Sequence, residues 1–293
     1  MMSANASTTN LSSQKRLLVA LAHPDDESFG PGGTLALYAQ RGAEVTLICA
    51  TRGEVGSLPA EMEGKVDNIA ALREHELRCA AEILGLKEVI FLGYRDSGMP
   101  GSLDNQHPNA LCAAPVEEVA EKVEEYIRSI KPHVIITFDP IGGYHHPDHI
   151  AIQRATLLAF NNASSENSKF ENLAPHQAQK LYYHTFPRRL MKFAVRLLPL
   201  LGQDPTSFGR NNDIDLLAIT KEDFPVHARI DYRPVADIKE AASACHHSQL
   251  DPGTNSFLRA IERIIGSKEN FMRAYPPAPD GLRERDLFKD VTD

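Results

Sequence analysis

The run Arg16-Leu17-Leu18-Val19-Ala20-Leu21-Ala22-His23-Pro24-Asp25-Asp26-Glu27 changes character halfway along. Its first half is apolar, with no polar alternation, as in a strand buried on both faces of a parallel sheet. Its second half places one imidazole and three carboxylates around a proline, which fixes the local backbone. In an open α/β sheet, ligands bind in the crevice beyond the carboxyl ends of the strands, where this polar half falls. A solvated acidic loop is the plain alternative. Its attachment to a core strand favours chemistry instead.

Working outward, the chain carries a net charge of -8, which argues against nucleic-acid binding, a function that favours a basic surface. The four cysteines, Cys49, Cys79, Cys112 and Cys245, show no Cys-x-x-Cys spacing. They suit a reducing compartment and point to neither a disulfide framework nor a thiolate metal site. Residues 1–14 are rich in Ser, Thr and Asn and read as a disordered tail, not a signal peptide. No apolar run reaches the ~20 residues of a membrane-spanning helix. The expected location is the cytoplasm.

Strand and helix patterns alternate after the first strand. Gly30 to Gln40 reads as a helix entered through Gly30-Pro31-Gly32-Gly33. A dinucleotide fingerprint needs a third glycine where this chain has Leu35, so the glycines are expected to bring the helix close to the sheet. Glu44 to Ala50, Lys87 to Leu92 and His133 to Phe138 read as further strands. Asp67 to Gly85 and Val116 to Ile130 have helical spacing, and Pro100 to Pro115 is a long loop. Lys180 to Phe186, Ile214 to Ile219 and Val226 to Ile230 resemble strands, and Val235 to His247 and Phe257 to Ile265 helices. The expected fold is a Rossmann-like, open, mostly parallel sheet with helices on both faces. It would form one domain over 15–275, with 276–293 as a C-terminal tail. The basic, amphipathic stretch 188–201 suits either an anionic membrane surface or docking on protein.

The fourth strand exits into Asp139-Pro140-Ile141-Gly142-Gly143-Tyr144-His145-His146-Pro147-Asp148-His149. Pro147 suits the first position of a helix. His146 and His149 can then face one side of its first turn. Were the two strands neighbours, His23, Asp25 or Asp26, and a late histidine would reach one cation. Two histidines and one carboxylate form a common catalytic metal set, which zinc accepts with a position left open. His23, Asp25 and His149 also match the facial triad of non-haem iron oxygenases.

Together, Ala22-His23-Pro24-Asp25-Asp26-Glu27 and His146-Pro147-Asp148-His149 resemble the motifs of the PIG-L/LmbE-like family of zinc-dependent N-deacetylases. Thr51-Arg52-Gly53-Glu54, Arg73-Glu74-x-Glu76, Asp96-Ser97-Gly98 and His246-x-Ser248-Gln249 fit the same pattern, so the resemblance runs from about residue 16 to about residue 275. It implies that His23, Asp26 and His149 hold zinc, with iron(II) an alternative in vivo, and that Asp25 is the base. It implies that His146, oriented by Asp148, and Tyr144 stabilise the oxyanion. It assigns Arg73 and Asp96 to the substrate, and leaves Glu27 as a support for the loop. Arg73 also suits a solvated place on a charged helix face.

The implied activity is hydrolysis of a linear amide, with removal of acetyl from an N-acetylglucosamine-containing small-molecule conjugate. The rivals are a thiol-conjugate amidase of the same family, an iron oxygenase, and a protein that binds a glycan or metabolite without turnover. An oligomer is compatible with the sequence.

Overall fold

The computed structural model describes residues 14–166, 169–170, 172–186, 192, 195–207, 214–250 and 267–292. Seven strands form one sheet: β1 (Arg16–Leu21), β2 (Glu44–Thr51), β3 (Glu88–Tyr94), β4 (Val134–Phe138), β5 (Lys180–Thr185), β6 (Ala228–Asp231) and β7 (Lys268–Tyr275). Their spatial order is β3-β2-β1-β4-β5-β7-β6. The first five run parallel, while β7 lies antiparallel to both β5 and β6.

Leu17, Leu18, Val19 and Ala20 are wholly buried, as their unbroken apolar run predicts for a central strand. On one side Leu17 pairs with Val45 of β2, and on the other with Val134 of β4. The principal helices are α1 (Gly32–Gln40), α2 (Ile69–Leu84), α3 (Val116–Ile130), α4 (Pro147–Asn162) and α5 (Ala236–Cys245). The strand order reverses direction at the β1/β4 boundary. Right-handed crossovers therefore place α1 and α2 on one face and α3 and α4 on the other. The two acidic and histidine-rich loops leave neighbouring strands at that reversal, where such sheets form their crevice.

Local chemistry sets the helix limits. The Asn68 side chain accepts a hydrogen bond from the Ala71 N–H at 3.0 Å to start α2, and Gly85, at φ 74°, ends it. At α4, His146 is the N-cap and Pro147 the first residue.

Several expectations are corrected. Ile214 to Ile219 is not a strand: Asp215 accepts the Ala218 N–H at 2.9 Å and caps a helical turn over Leu216–Ile219. Strand β7 escapes a reading by hydrophobicity, because its buried residues include Glu269 and Asn270. The stretch 276–293 is no loose tail over its described part. Leu287 and Phe288 are buried in the main core, and Asp286 accepts the Tyr38 hydroxyl proton at 2.8 Å. Cys79 and Cys245, scattered in sequence, face each other on α2 and α5 and form a disulfide, with Cα atoms 5.9 Å apart.

Residues 1–13 and the expected helix Phe257 to Ile265 lie outside the described residues, as do 188–191 and 193–194 of the basic stretch. Its described part buries Val195 and Leu198 against Leu216 and Ile219, beside Tyr144. Among the described residues, no helix is long and apolar enough to cross a membrane.

Candidate active site

Leaving β1, the chain turns sharply, with Asp25 at φ 136° and ψ -28°. An L residue adopts that region only when its surroundings hold it there. The turn sends the two aspartates different ways. Asp26 folds back on the strand end, its Oδ2 accepting the N–H groups of His23 at 2.7 Å and Ala22 at 3.3 Å. Asp25 points to Arg73, whose Nη2 donates to Asp25 Oδ2 at 3.0 Å.

Three donors converge beyond the strand ends. His23 Nδ1 lies 3.2 Å from His149 Nε2 and 3.5 Å from Asp26 Oδ2, and His149 Nε2 lies 3.3 Å from Asp26 Oδ1. Ligands bound at about 2.0–2.1 Å in a tetrahedral set lie about 3.3 Å apart; the two histidine nitrogens have that spacing, and each lies near it from one of the two Asp26 oxygens, so the residues can be drawn onto a metal ion. Their remaining nitrogens are engaged as metal ligands require. His149 Nδ1 is 3.1 Å from the Gly142 carbonyl, and His23 Nε2 is 3.1 Å from Asp148 Oδ2. A proton on each outer nitrogen leaves the inner nitrogen free to bind metal. Phe138 stacks on His149 with ring centroids 3.9 Å apart, and Gly142, at φ 62°, lies so close that a Cβ there would sit 2.7 Å from that of His149.

Other groupings share these residues. His23, His146 and His149 each bring a ring nitrogen within 4.8 Å of the others, as do His23, Asp96 and Asp148 with their donor atoms. His146, however, spends its Nδ1 as acceptor for the Asp148 N–H at 3.2 Å, which leaves Nε2–H as a hydrogen-bond donor. The Asp148 carboxylate also receives the N–H of Ser97 at 2.9 Å, and the Ser97 hydroxyl. The expectation that this carboxylate orients His146 is therefore corrected: it faces His23, and His146 is held by the Asp148 backbone amide and by the rings of His23 and His149.

Arg73 is also placed differently from expectation. Only 3% exposed, it donates to the carbonyls of Gly53 at 3.0 Å and Pro24 at 2.7 Å as well as to Asp25. It is neither a solvated cation nor arranged first for substrate; it clamps the Asp25 loop. The trio His23, Asp25 and His149 expected of an iron oxygenase is not assembled, because Asp25 pairs with Arg73 while Asp26 faces both histidines.

The electrostatics separate the aspartates further. Burial pushes the Asp25 carboxyl up to about 6, against the pull of Arg73 and with the help of the Asp26 charge. Burial also acts on Asp26, but His149 and His23 outweigh it and hold that carboxyl well below the ordinary range. Desolvation lowers His146 strongly, with His23 and His149 adding to it, so its ring stays neutral. Asp96, buried and bonded to the Gly98 N–H at 2.8 Å, lies 3.6 Å from His23 Nε2. Desolvation raises the Tyr144 phenol, so it keeps its proton. Its ring centroid lies 5.0 Å from that of His149 and 5.8 Å from that of His146.

The glycine loop is filled by protein. Glu269 of β7 accepts the N–H groups of Gly33 at 2.9 Å and Thr34 at 2.7 Å, so a carboxylate already occupies the helix start that a phosphate would use. Gly142 and Ser97 were not singled out as site residues from sequence. Ser97 lay within a motif already noted, and Gly142 within the second loop, but only the fold shows what they touch.

A doubly wound sheet with three residues that could hold a metal ion, and a fourth carboxylate beside them at its strand reversal, is an arrangement suited to metal-assisted hydrolysis. The comparisons agree. Residues 18–160 match the family described as PIG-L, GlcNAc-PI de-N-acetylase. The 1D-myo-inositol 2-acetamido-2-deoxy-alpha-D-glucopyranoside deacetylase of Streptomyces griseus subsp. griseus is 35% identical, over 94% of this chain and 88% of that protein. The enzyme of the same name from Thermobifida fusca is 35% identical, over 94% of this chain and 99% of its own length. In structure, the N,N'-diacetylchitobiose deacetylase of Pyrococcus horikoshii matches with a TM-score of 0.63 at 22% identity, covering 93% of this chain and 90% of that one. The chain belongs to the PIG-L family, and it is a deacetylase acting on a carbon–nitrogen bond outside peptides.

Proposed function

We propose that this deacetylase removes acetyl from the amino-sugar nitrogen of N-acetylglucosamine linked to inositol, the substrate class named for its relatives. The observation that carries the site assignment is the convergence of His23, Asp26 and His149 beyond the strand ends, with the adjacent Asp25 carboxylate fixed by Arg73. The proposed ion is zinc, with iron(II) as the alternative in vivo, and the proposed compartment is the cytoplasm.

His23, Asp26 and His149 would hold the zinc ion, which would supply Lewis acidity toward the acetamide carbonyl and lower the pKa of water there. The side chains divide the remaining work. Asp25 takes the proton from the attacking water and returns it to the departing amine. Arg73 fixes the direction of that carboxylate. His146, through Nε2–H, and Tyr144, through its hydroxyl, donate to the oxygen that becomes negative, a contribution of roughly 3–4 kcal/mol per donor. Asp96, beside His23, accepts from sugar hydroxyls. Val195 and Leu198 pack against Leu216 and Ile219 beside Tyr144, while Leu197 stays 40% and Leu200 80% exposed.

The test is acetate release from N-acetylglucosaminyl inositol, its phosphatidylinositol counterpart and N-acetylglucosaminyl malate, with metal-loaded and chelated protein. Metal-dependent release, strongest on the inositol conjugate, is expected. No release from any of the three by protein loaded with zinc or iron(II) would overturn the reading.

A further inference from the structure

Asp25 stands in a backbone conformation that an L residue does not hold unaided, at φ 136°. Arg73 fixes its carboxylate, but the peptide needs its own restraint. That restraint comes from Glu27, whose Oε2 accepts the Asp25 N–H at 3.0 Å. Glu27 is wholly buried, and its other oxygen lies 2.7 Å from His246 Nε2, in a pair whose side chains are both 0% exposed. The Ser28 hydroxyl completes the same carboxylate.

His246 enters from the far end of the chain, at the close of α5 and beyond the stretch matched by the family profile. It is firmly mounted. Ser248, two residues on, gives its N–H at 2.8 Å and its hydroxyl at 2.7 Å to Glu76 of α2. Cys245, one residue before, is joined to Cys79 of α2. The ring of Phe29 packs edge-on against the imidazole at 5.7 Å. Helix α2 also carries Arg73, so the two restraints on Asp25 share one frame. Side chain and backbone are gripped from the same pair of helices.

We propose that Glu27 and His246 are positioning residues for Asp25. Through a buried His246–Glu27–Asp25 relay of hydrogen bonds they hold the strained peptide that turns the base toward the reacting water. This inference rests on the deacetylase reading for its kinetic test, although its structural test does not. Among the described residues, neither hydrogen-bonds to His23, Asp26 or His149; Glu27 is bonded to the Asp25 N–H, Ser28 and His246. Their loss should therefore slow turnover without releasing metal or weakening substrate binding.

His246→Phe keeps a ring against Phe29 and removes the donor; His246→Gln restores an N–H donor. With metal-loaded protein on N-acetylglucosaminyl inositol, His246→Phe is expected to lower kcat about 10–100-fold, the usual effect of losing a supporting hydrogen bond in such a site. KM and bound metal should stay near wild-type values, and His246→Gln should recover most of kcat. Unchanged kcat in His246→Phe, or equal losses in both variants with lost metal, would overturn the proposal. Should wild-type protein release no acetate, the deacetylase reading fails on its own. Crystal structures of wild type and His246→Gln then decide the relay: Asp25 at positive φ with its N–H on Glu27 in both supports it, and an Asp25 peptide free of Glu27 in wild type overturns it. Should His246→Phe fail to fold, Glu27→Ala replaces it, with the same expected kcat loss and the same contradicting result.

Discussion

At the scale of single residues, the site depends on separating two adjacent aspartates. Their order in Asp25-Asp26 gave no physical ground for choosing ligand from base; family likeness alone made the choice. The backbone sets the two apart, since at positive φ Asp25 directs its carboxylate to Arg73 while Asp26 lies beside the histidines, which is consistent with the proposed division. Replacing Asp25 with Asn should lower kcat by about 10²–10⁴-fold, the usual worth of a positioned acid–base group, measured as acetate release. Gly142→Ala tests the other side of the site. A Cβ would meet that of His149 at 2.7 Å, in a residue already at φ 62°. Competition against a chelator should show metal affinity reduced about 10–100-fold, as for loss of a ligand's support. Asp148 shows the limit of reading contacts from sequence. Its partner is His23, a residue 125 positions away, and not its near neighbour His146.

At the scale of elements, the parallel half was legible because its central strands are apolar runs and its helices Ile69–Leu84 and Val116–Ile130 keep an apolar stripe. The antiparallel extension was not, because β7 hides its burial behind polar residues that other elements satisfy. Glu269 caps α1 and pairs with Lys239 at 2.8 Å, so an apparently exposed strand is buried. Arg73 illustrates the same effect in a helix: its guanidinium is buried only because Gly53 and Gly56 leave room for it. In the structure a Cβ on Gly53 would lie 2.1 Å from Arg73 Nη1, so Gly53→Ala should displace the clamp and lower kcat with metal retained. The Cys79–Cys245 link, invisible in spacing, ties α2 to α5 across a separation of 166 residues. Cys79→Ser should cost about 2–4 kcal/mol in urea unfolding under non-reducing conditions, the range for closing a long loop.

At the scale of the whole molecule, the C-terminal stretch closes the core that the N-terminal strand begins. Glu284 joins Lys180 at 2.8 Å, Arg273 at 3.1 Å and the Tyr182 hydroxyl at 2.7 Å, all in or beside the antiparallel extension. Burial opposes its charge, but Lys180 and Tyr182 prevail and hold the carboxyl below the ordinary glutamate range. Its stabilising contribution is therefore complete above that range and lost as pH falls through the folded value. Glu284→Ala should destabilise the fold by about 3 kcal/mol, because it strands a buried lysine, and should flatten the acid side of the stability profile. The fold itself brings the β1 and β4 loops together at the reversal of strand order, and the chemistry follows from that meeting. Metal content and acetate release, measured side by side for Asp25→Ala, Asp26→Ala and His149→Ala, test this most directly. Asp25→Ala should keep its metal and lose turnover, while the other two lose both. Full turnover in Asp25→Ala, or metal retained by Asp26→Ala and His149→Ala, would contradict the account.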